Sequence, residues 1–232
     1  MTRSTLAIQS PDGKPFDAYL SLPPTGSGPG LVIIQEIWGV NAHIRAVADQ
    51  YAMDGYVVMA PDVFWRQQPH VDLKYDETDT TKAYQFMRGL DDSLAVADLV
   101  AAVKTLRQQP EVTGKIGVVG YCMGGRLSYQ LAASGVVDAA VCYYGGGIQK
   151  HLDKAPFIEV PIQFHYGALD AHIPAAAVDS VQKAFDGRPN AQFHVYEDAQ
   201  HGFNCWGRPM YNQRVAALAH GHTLQWLSTQ LA

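Results

Sequence analysis

Apolar and polar positions along the chain switch repeatedly between strand-like runs and helical spacing, and the switching predicts alternating strands and helices. Residues 5–9 and 16–22 read as strands separated by the turn signal Pro11-Asp12-Gly13. Leu31-Val32-Ile33-Ile34 is a continuous apolar run, as expected for a strand covered on both faces. Asn41 can cap a helix in which Ile44, Val47, Ala48 and Tyr51 share one side, and Tyr56-Val57-Val58-Met59 forms the next strand, stopping at Pro61. Residues 64–75 are irregular and rich in polar and aromatic side chains, the kind of excursion that carries substrate-facing loops in α/β enzymes.

The rhythm then resumes. Residues 94–108 predict a helix with Val96, Val100 and Val103 on one side and a cap within residues 91–93. Residues 116–119, 136–143 and 162–166 predict strands, a helix follows Pro174, and residues 193–196 predict another strand. The last helix groups Val215, Leu218, Ala219, His222 and Trp226 on one face. This alternation predicts an α/β fold, a mostly parallel sheet flanked by helices on both sides, in a single domain over 1–232 with no linker, repeat or lid.

Composition narrows the function. Nearly half the residues, 47%, are apolar, enough for a substantial core. A net charge of -5 without a Lys/Arg cluster argues against nucleic-acid binding. No uncharged stretch approaches the ~20 residues that span a bilayer. Residues 1–10 show neither a long apolar run nor a small-residue cleavage site, so cytoplasm is expected. Three cysteines, Cys122, Cys142 and Cys205, are too few and too odd for a disulfide framework. No short Cys/His spacing of the zinc kind appears, so neither metal nor cofactor is expected.

The densest chemical signal is Gly120-Tyr121-Cys122-Met123-Gly124-Gly125, between a predicted strand and a helical stretch. G-x-S-x-G in that setting is the nucleophile elbow of α/β-hydrolases, here with cysteine in the serine position. A small buried cysteine between packing glycines would look the same locally, so the flanking elements and the rest of the chain have to decide. Hydrolases of this fold place an acid and then a histidine downstream. Asp170 follows the strand over residues 162–166, and His201 follows the strand over residues 193–196, both at strand ends. His201 can take the thiol proton or hold a thiolate as an ion pair, and Asp170 can fix its tautomer. His165 and His194 fall within strands, where packing is the commoner role.

Four segments together resemble the dienelactone hydrolases (carboxymethylenebutenolidases): Gln35-Glu36-Ile37-Trp38-Gly39-Val40-Asn41, the elbow, Tyr143-Tyr144-Gly145 and His201-Gly202-Phe203. The resemblance runs over nearly the whole chain. It implies a Cys122-His201-Asp170 triad, with Glu36 beside Cys122 switching the thiol between resting and activated forms. It also implies an oxyanion hole from the backbone N–H groups of Ile37 and Met123, and Trp38 and Tyr84 in the substrate pocket or the core next to it. Relatives of this kind hold a substrate carboxylate with two arginines; Thr80 and Cys205 stand at or near those positions here, leaving Lys82, Arg126 or Arg208 as substitutes. The expected function is cofactor-independent hydrolysis of a small activated ester, lactone or enol-lactone through a thioester acyl-enzyme, by a monomer. The alternatives are a non-hydrolytic small-molecule-binding protein on the same fold and a small-acyl thioesterase.

Overall fold

The computed structural model describes residues 2–232, so Met1 lies outside the described residues. Eight strands form one sheet in the order β1-β2-β4-β3-β5-β6-β7-β8: β1 (Thr2–Gln9), β2 (Pro15–Leu22), β3 (Gly28–Ile34), β4 (Val57–Pro61), β5 (Val112–Tyr121), β6 (Ala139–Tyr143), β7 (Ile162–Gly167) and β8 (Ala191–Tyr196). β1 pairs antiparallel with β2, and β2 antiparallel with β4, while every pairing from β4 onward is parallel. β4, β6 and β7 are buried at every position, as strands covered on both faces are, although β7 carries the polar residues Gln163 and His165.

Helices cover both faces. Gly30 points at Leu106 of α3 (Asp92–Arg107), whereas Leu31 and Gly117 lie against Leu227 and Leu231 at the end of α6 (Gln213–Gln230). Neighbouring residues of one strand face opposite sides of the sheet, so α3 and α6 lie in different layers. α1 (Ala42–Met53) joins α6, through Tyr51 and His220 with ring centres 4.9 Å apart. α4 (Met123–Ala132) joins α3 through Arg126 and Asp92, and α5 (Ala175–Ala184) follows β7. Among the described residues no helix is long and apolar enough to cross a membrane.

Three sequence expectations need correction. Residues 136–138 are not part of β6: the Asp138 carboxylate turns back to accept the Ile116 N–H at 2.8 Å, so the strand begins at Ala139. α2 (Glu77–Arg88) was not visible in the periodicity, because Ala83 is its only buried residue and no apolar stripe exists to read. Its start is nonetheless well defined, with the Asp76 side chain accepting the Asp79 N–H at 2.9 Å. On α6 the buried stripe is Val215, Ala216, Ala219, Thr223 and Leu227, and Leu218 is exposed. The helix is rotated so that Val215, Ala219, Thr223 and Leu227, rather than Leu218, turn inward.

Candidate active site

Four functional candidates leave the sheet at one edge. Glu36 lies two residues beyond β3, Cys122 follows β5, Asp170 follows β7 and His201 follows β8. These are carboxyl ends of parallel strands, where open α/β sheets gather their ligands.

β5 stops at Tyr121 and α4 starts at Met123, so Cys122 alone makes the turn, with φ 56° and ψ -115°. Such a backbone costs about 1–3 kcal/mol and needs its surroundings to hold it. The Cys122 N–H donates to the Tyr143 carbonyl at 3.0 Å, anchoring the turn to β6. A Cβ at Gly120 would collide with the Gly124 carbonyl and the Ser128 hydroxyl, and one at Gly124 with the carbonyls of Ile34 and Gln35. The glycines therefore let strand and helix approach, and the thiol is left at the N-terminus of α4, where the helix dipole favours an anion.

His201 Nε2 is 3.1 Å from Cys122 Sγ, and His201 Nδ1 donates to Asp170 Oδ2 at 2.7 Å. The other Asp170 oxygen accepts the backbone N–H groups of His172 (2.7 Å) and Ile173 (3.1 Å), which fix the carboxylate. The imidazole is confined by the rings of Tyr144 and His172, at 5.1 and 5.0 Å between centroids. Burial opposes the charge on His201, but Cys122 as a thiolate and the bond to Asp170 outweigh it and raise its pKa to about 10.

The competing histidines have structural partners. His165 is fully buried and bonds to Tyr196, Gln163 and Thr223 at 2.9, 2.8 and 3.1 Å. His194 stacks on it at 5.1 Å.

Above the thiol lies a cavity of about 280 Å³, lined among others by Ile37, Trp38, Tyr84, Cys122, Met123 and His201. Trp38 is buried at its other edge, with its Nε1–H donating to Thr80 at 3.3 Å, so it serves both core and cavity, whereas Tyr84 is exposed. As the first residue of α4, Met123 has an N–H with no acceptor inside the helix, and Ile37 follows β3 across the same cavity.

The cavity contains cations. Arg126 is held by Asp92 through two bonds (2.8 and 2.9 Å) and by the Gly146 carbonyl, so its charge is largely committed. Arg208 lies with its guanidinium 4.5 Å over the Trp38 ring, and its Nη1 has no hydrogen-bond partner among the described residues. Lys82 points elsewhere, to Asp79. Of the three basic residues that the sequence offers, Arg126 and Arg208 reach the cavity and Lys82 does not.

Glu36 lies beneath this layer, almost fully buried, 3.9 Å from Arg208. Burial raises its pKa, against the opposing pull of Arg208 and His201. Cys205, also buried, is raised to about 12, first by burial and then by the charge of Glu36. His43, which no sequence motif singles out, is held at about 4 by burial and by Arg208.

Residues 16–231 match the model of the dienelactone hydrolase family. This chain belongs to that family. It is 39% identical over 229 residues to a carboxymethylenebutenolidase of Pseudomonas putida, covering 98% of this chain and 97% of the relative. It is 35% identical over 228 residues to a carboxymethylenebutenolidase of Pseudomonas sp. strain P51, covering 98% and 95%. Solved structures share the fold. A dienelactone hydrolase-like promiscuous phosphotriesterase, P91 from metagenomic libraries, superposes with a TM-score of 0.82 at 22% identity over the full length of both chains. A dienelactone hydrolase from Anabaena variabilis gives 0.73 at 16%, covering 100% of this chain and 99% of the other. As a member of the dienelactone hydrolase family, the protein is a carboxylic ester hydrolase with the α/β-hydrolase fold.

Proposed function

We propose that this dienelactone hydrolase-family protein cleaves a small activated ester, lactone or enol-lactone with Cys122 as nucleophile. The observation that carries the reading is the hydrogen-bonded line from Cys122 through His201 to Asp170, at 3.1 and 2.7 Å, at the floor of a cavity that opens to solvent. The Cys122 thiolate attacks the acyl carbon, and the N–H groups of Ile37 and Met123 receive the developing oxyanion. The oxyanion collapses, the acyl–oxygen bond breaks, and the leaving oxygen takes the proton from His201 Nε2. Neutral His201 then removes a proton from water, whose hydroxide attacks the thioester and releases the acid and the thiolate.

A thiolate leaves a tetrahedral intermediate more readily than a simple alkoxide does. The reading therefore favours activated esters and enol-lactones, and excludes amides. Glu36, buried near Arg208 and His201, is the candidate proton holder in the resting state. Arg208 favours substrates that carry an acidic group, since its guanidinium side chain lines the cavity.

Turnover of p-nitrophenyl acetate and of an enol-lactone, compared between the wild type and Cys122→Ala, tests the proposal. Loss of both activities is expected. Equal rates in the two proteins would overturn it.

A further inference from the structure

We infer that Glu36, His43 and Cys205 form a binding site for a thiophilic divalent cation of the Zn²⁺ type. A carboxylate oxygen, an imidazole nitrogen and the thiol sulfur of these residues all lie within 4.8 Å of one another. They come from three places in the chain: the loop after β3, the first turn of α1 and the loop after His201. All three residues are buried, at 1%, 5% and 0% exposure.

The second observation is the lack of partners. Neither Glu36 oxygen and neither His43 nitrogen makes a hydrogen bond among the described residues. Buried polar atoms are nearly always satisfied, and leaving a carboxylate and an imidazole unsatisfied costs several kcal/mol. A cation would satisfy both at once.

The donor set selects the ion. One sulfur, one nitrogen and one carboxylate oxygen suit Zn²⁺ and its neighbours, whereas Ca²⁺ and Mg²⁺ need oxygen ligands. Tetrahedral bonds of zinc length put donor atoms about 3.5 Å apart, so side-chain rotations of roughly 1 Å close the cluster. Binding releases the Cys205 proton to solvent and needs Glu36 ionised. The two negative charges then balance the +2 ion, and Arg208 keeps the same net surroundings it has beside a neutral pair. Tyr75, which faces Cys205, or a water supplies the fourth position. His43 packs edge-on against half-exposed Trp206, with ring centres 4.2 Å apart, so the cluster is one side chain away from the surface. A bound cation would tie up Glu36 and make hydrolysis zinc-sensitive, a consequence that rests on the proposed role of Glu36; the binding itself does not.

The test uses metal-free, full-length Cys122→Ser protein, so that the nucleophile contributes no thiolate, titrated with Co²⁺. One equivalent should produce a thiolate-to-cobalt charge-transfer band with strong tetrahedral d–d absorption, and Zn²⁺ should displace it. Adding Cys205→Ser should abolish the charge-transfer band, and adding His43→Gln should weaken binding by at least about tenfold. Circular dichroism identifies any variant that fails to fold, and the other variant then decides. Absence of the band in Cys122→Ser, survival of the band without Cys205, or unchanged affinity without His43 would each overturn the inference.

Discussion

Arg208 Nη1 lies 3.9 Å from Glu36 Oε1, close enough to feel its charge and too far to form a hydrogen bond. The guanidinium is supported from below by the Trp38 ring at 4.5 Å. Arg208 also lines the cavity, so an acidic group entering it meets a guanidinium already seated on a ring face. Cys205, three residues earlier in the chain, is turned inward instead.

Arg208→Met should therefore discriminate between substrates. A charge-assisted hydrogen bond is worth about 1.5–3 kcal/mol, or roughly 10–100-fold. A fall in kcat/KM of that size is expected for a lactone bearing a carboxylate, with less than about threefold change for p-nitrophenyl acetate. Equal losses on both substrates would show that Arg208 does not read charge.

His201 should titrate unusually high. Its folded pKa is raised from 6.5 to about 10, with Cys122 the largest of the raising influences. The protonated ring then contributes stability that is fully present below about pH 6.5 and is lost as pH rises through about 10. NMR of the His201 ring should show this midpoint in the wild type and a fall of at least one pH unit in Cys122→Ala. An unchanged midpoint would contradict the thiolate–imidazolium pair.

Asp170→Asn should keep the bonds that the Oδ1 position accepts from the N–H groups of His172 and Ile173 while losing the acceptor for His201 Nδ1. A fall in turnover of roughly 10²-fold or more is expected, with thermal stability changing by far less than activity. Pre-steady-state acylation measured with an activated ester separates this from a folding defect.

Gly124→Ala tests the elbow rather than the chemistry. The added methyl would press on the Ile34 carbonyl, which belongs to the neighbouring strand and cannot move without breaking the β3–β5 pairing. Destabilisation of about 3 kcal/mol is expected from chemical denaturation, against less than about 0.5 kcal/mol for Gly221→Ala at an exposed position of α6, where nothing lies within 4 Å.

Much of this molecule follows from local sequence. The continuous apolar runs of β3 and β4 mark strands buried on both faces because a parallel sheet covered by helices leaves no wet side. The elbow is legible because its glycines answer a steric demand that is the same wherever strand and helix turn so tightly. Chain order then points to Asp170 and His201, each at the end of its own strand. α2 was hidden because a helix with one buried residue leaves no stripe, and the rotation of α6 was hidden because a helix face is chosen by what it packs against.

Tertiary structure alone decided the rest. Whether a basic residue replaces arginine at Thr80 and Cys205 depends on which side chains reach the cavity, and Arg208 does so from a different point on its loop. His43 and Glu36 are seven positions apart and Cys205 lies far beyond them, so no spacing rule could associate them. Their meeting point, and the unsatisfied atoms it buries, exist only once the β3 loop, α1 and the His201 loop are packed together.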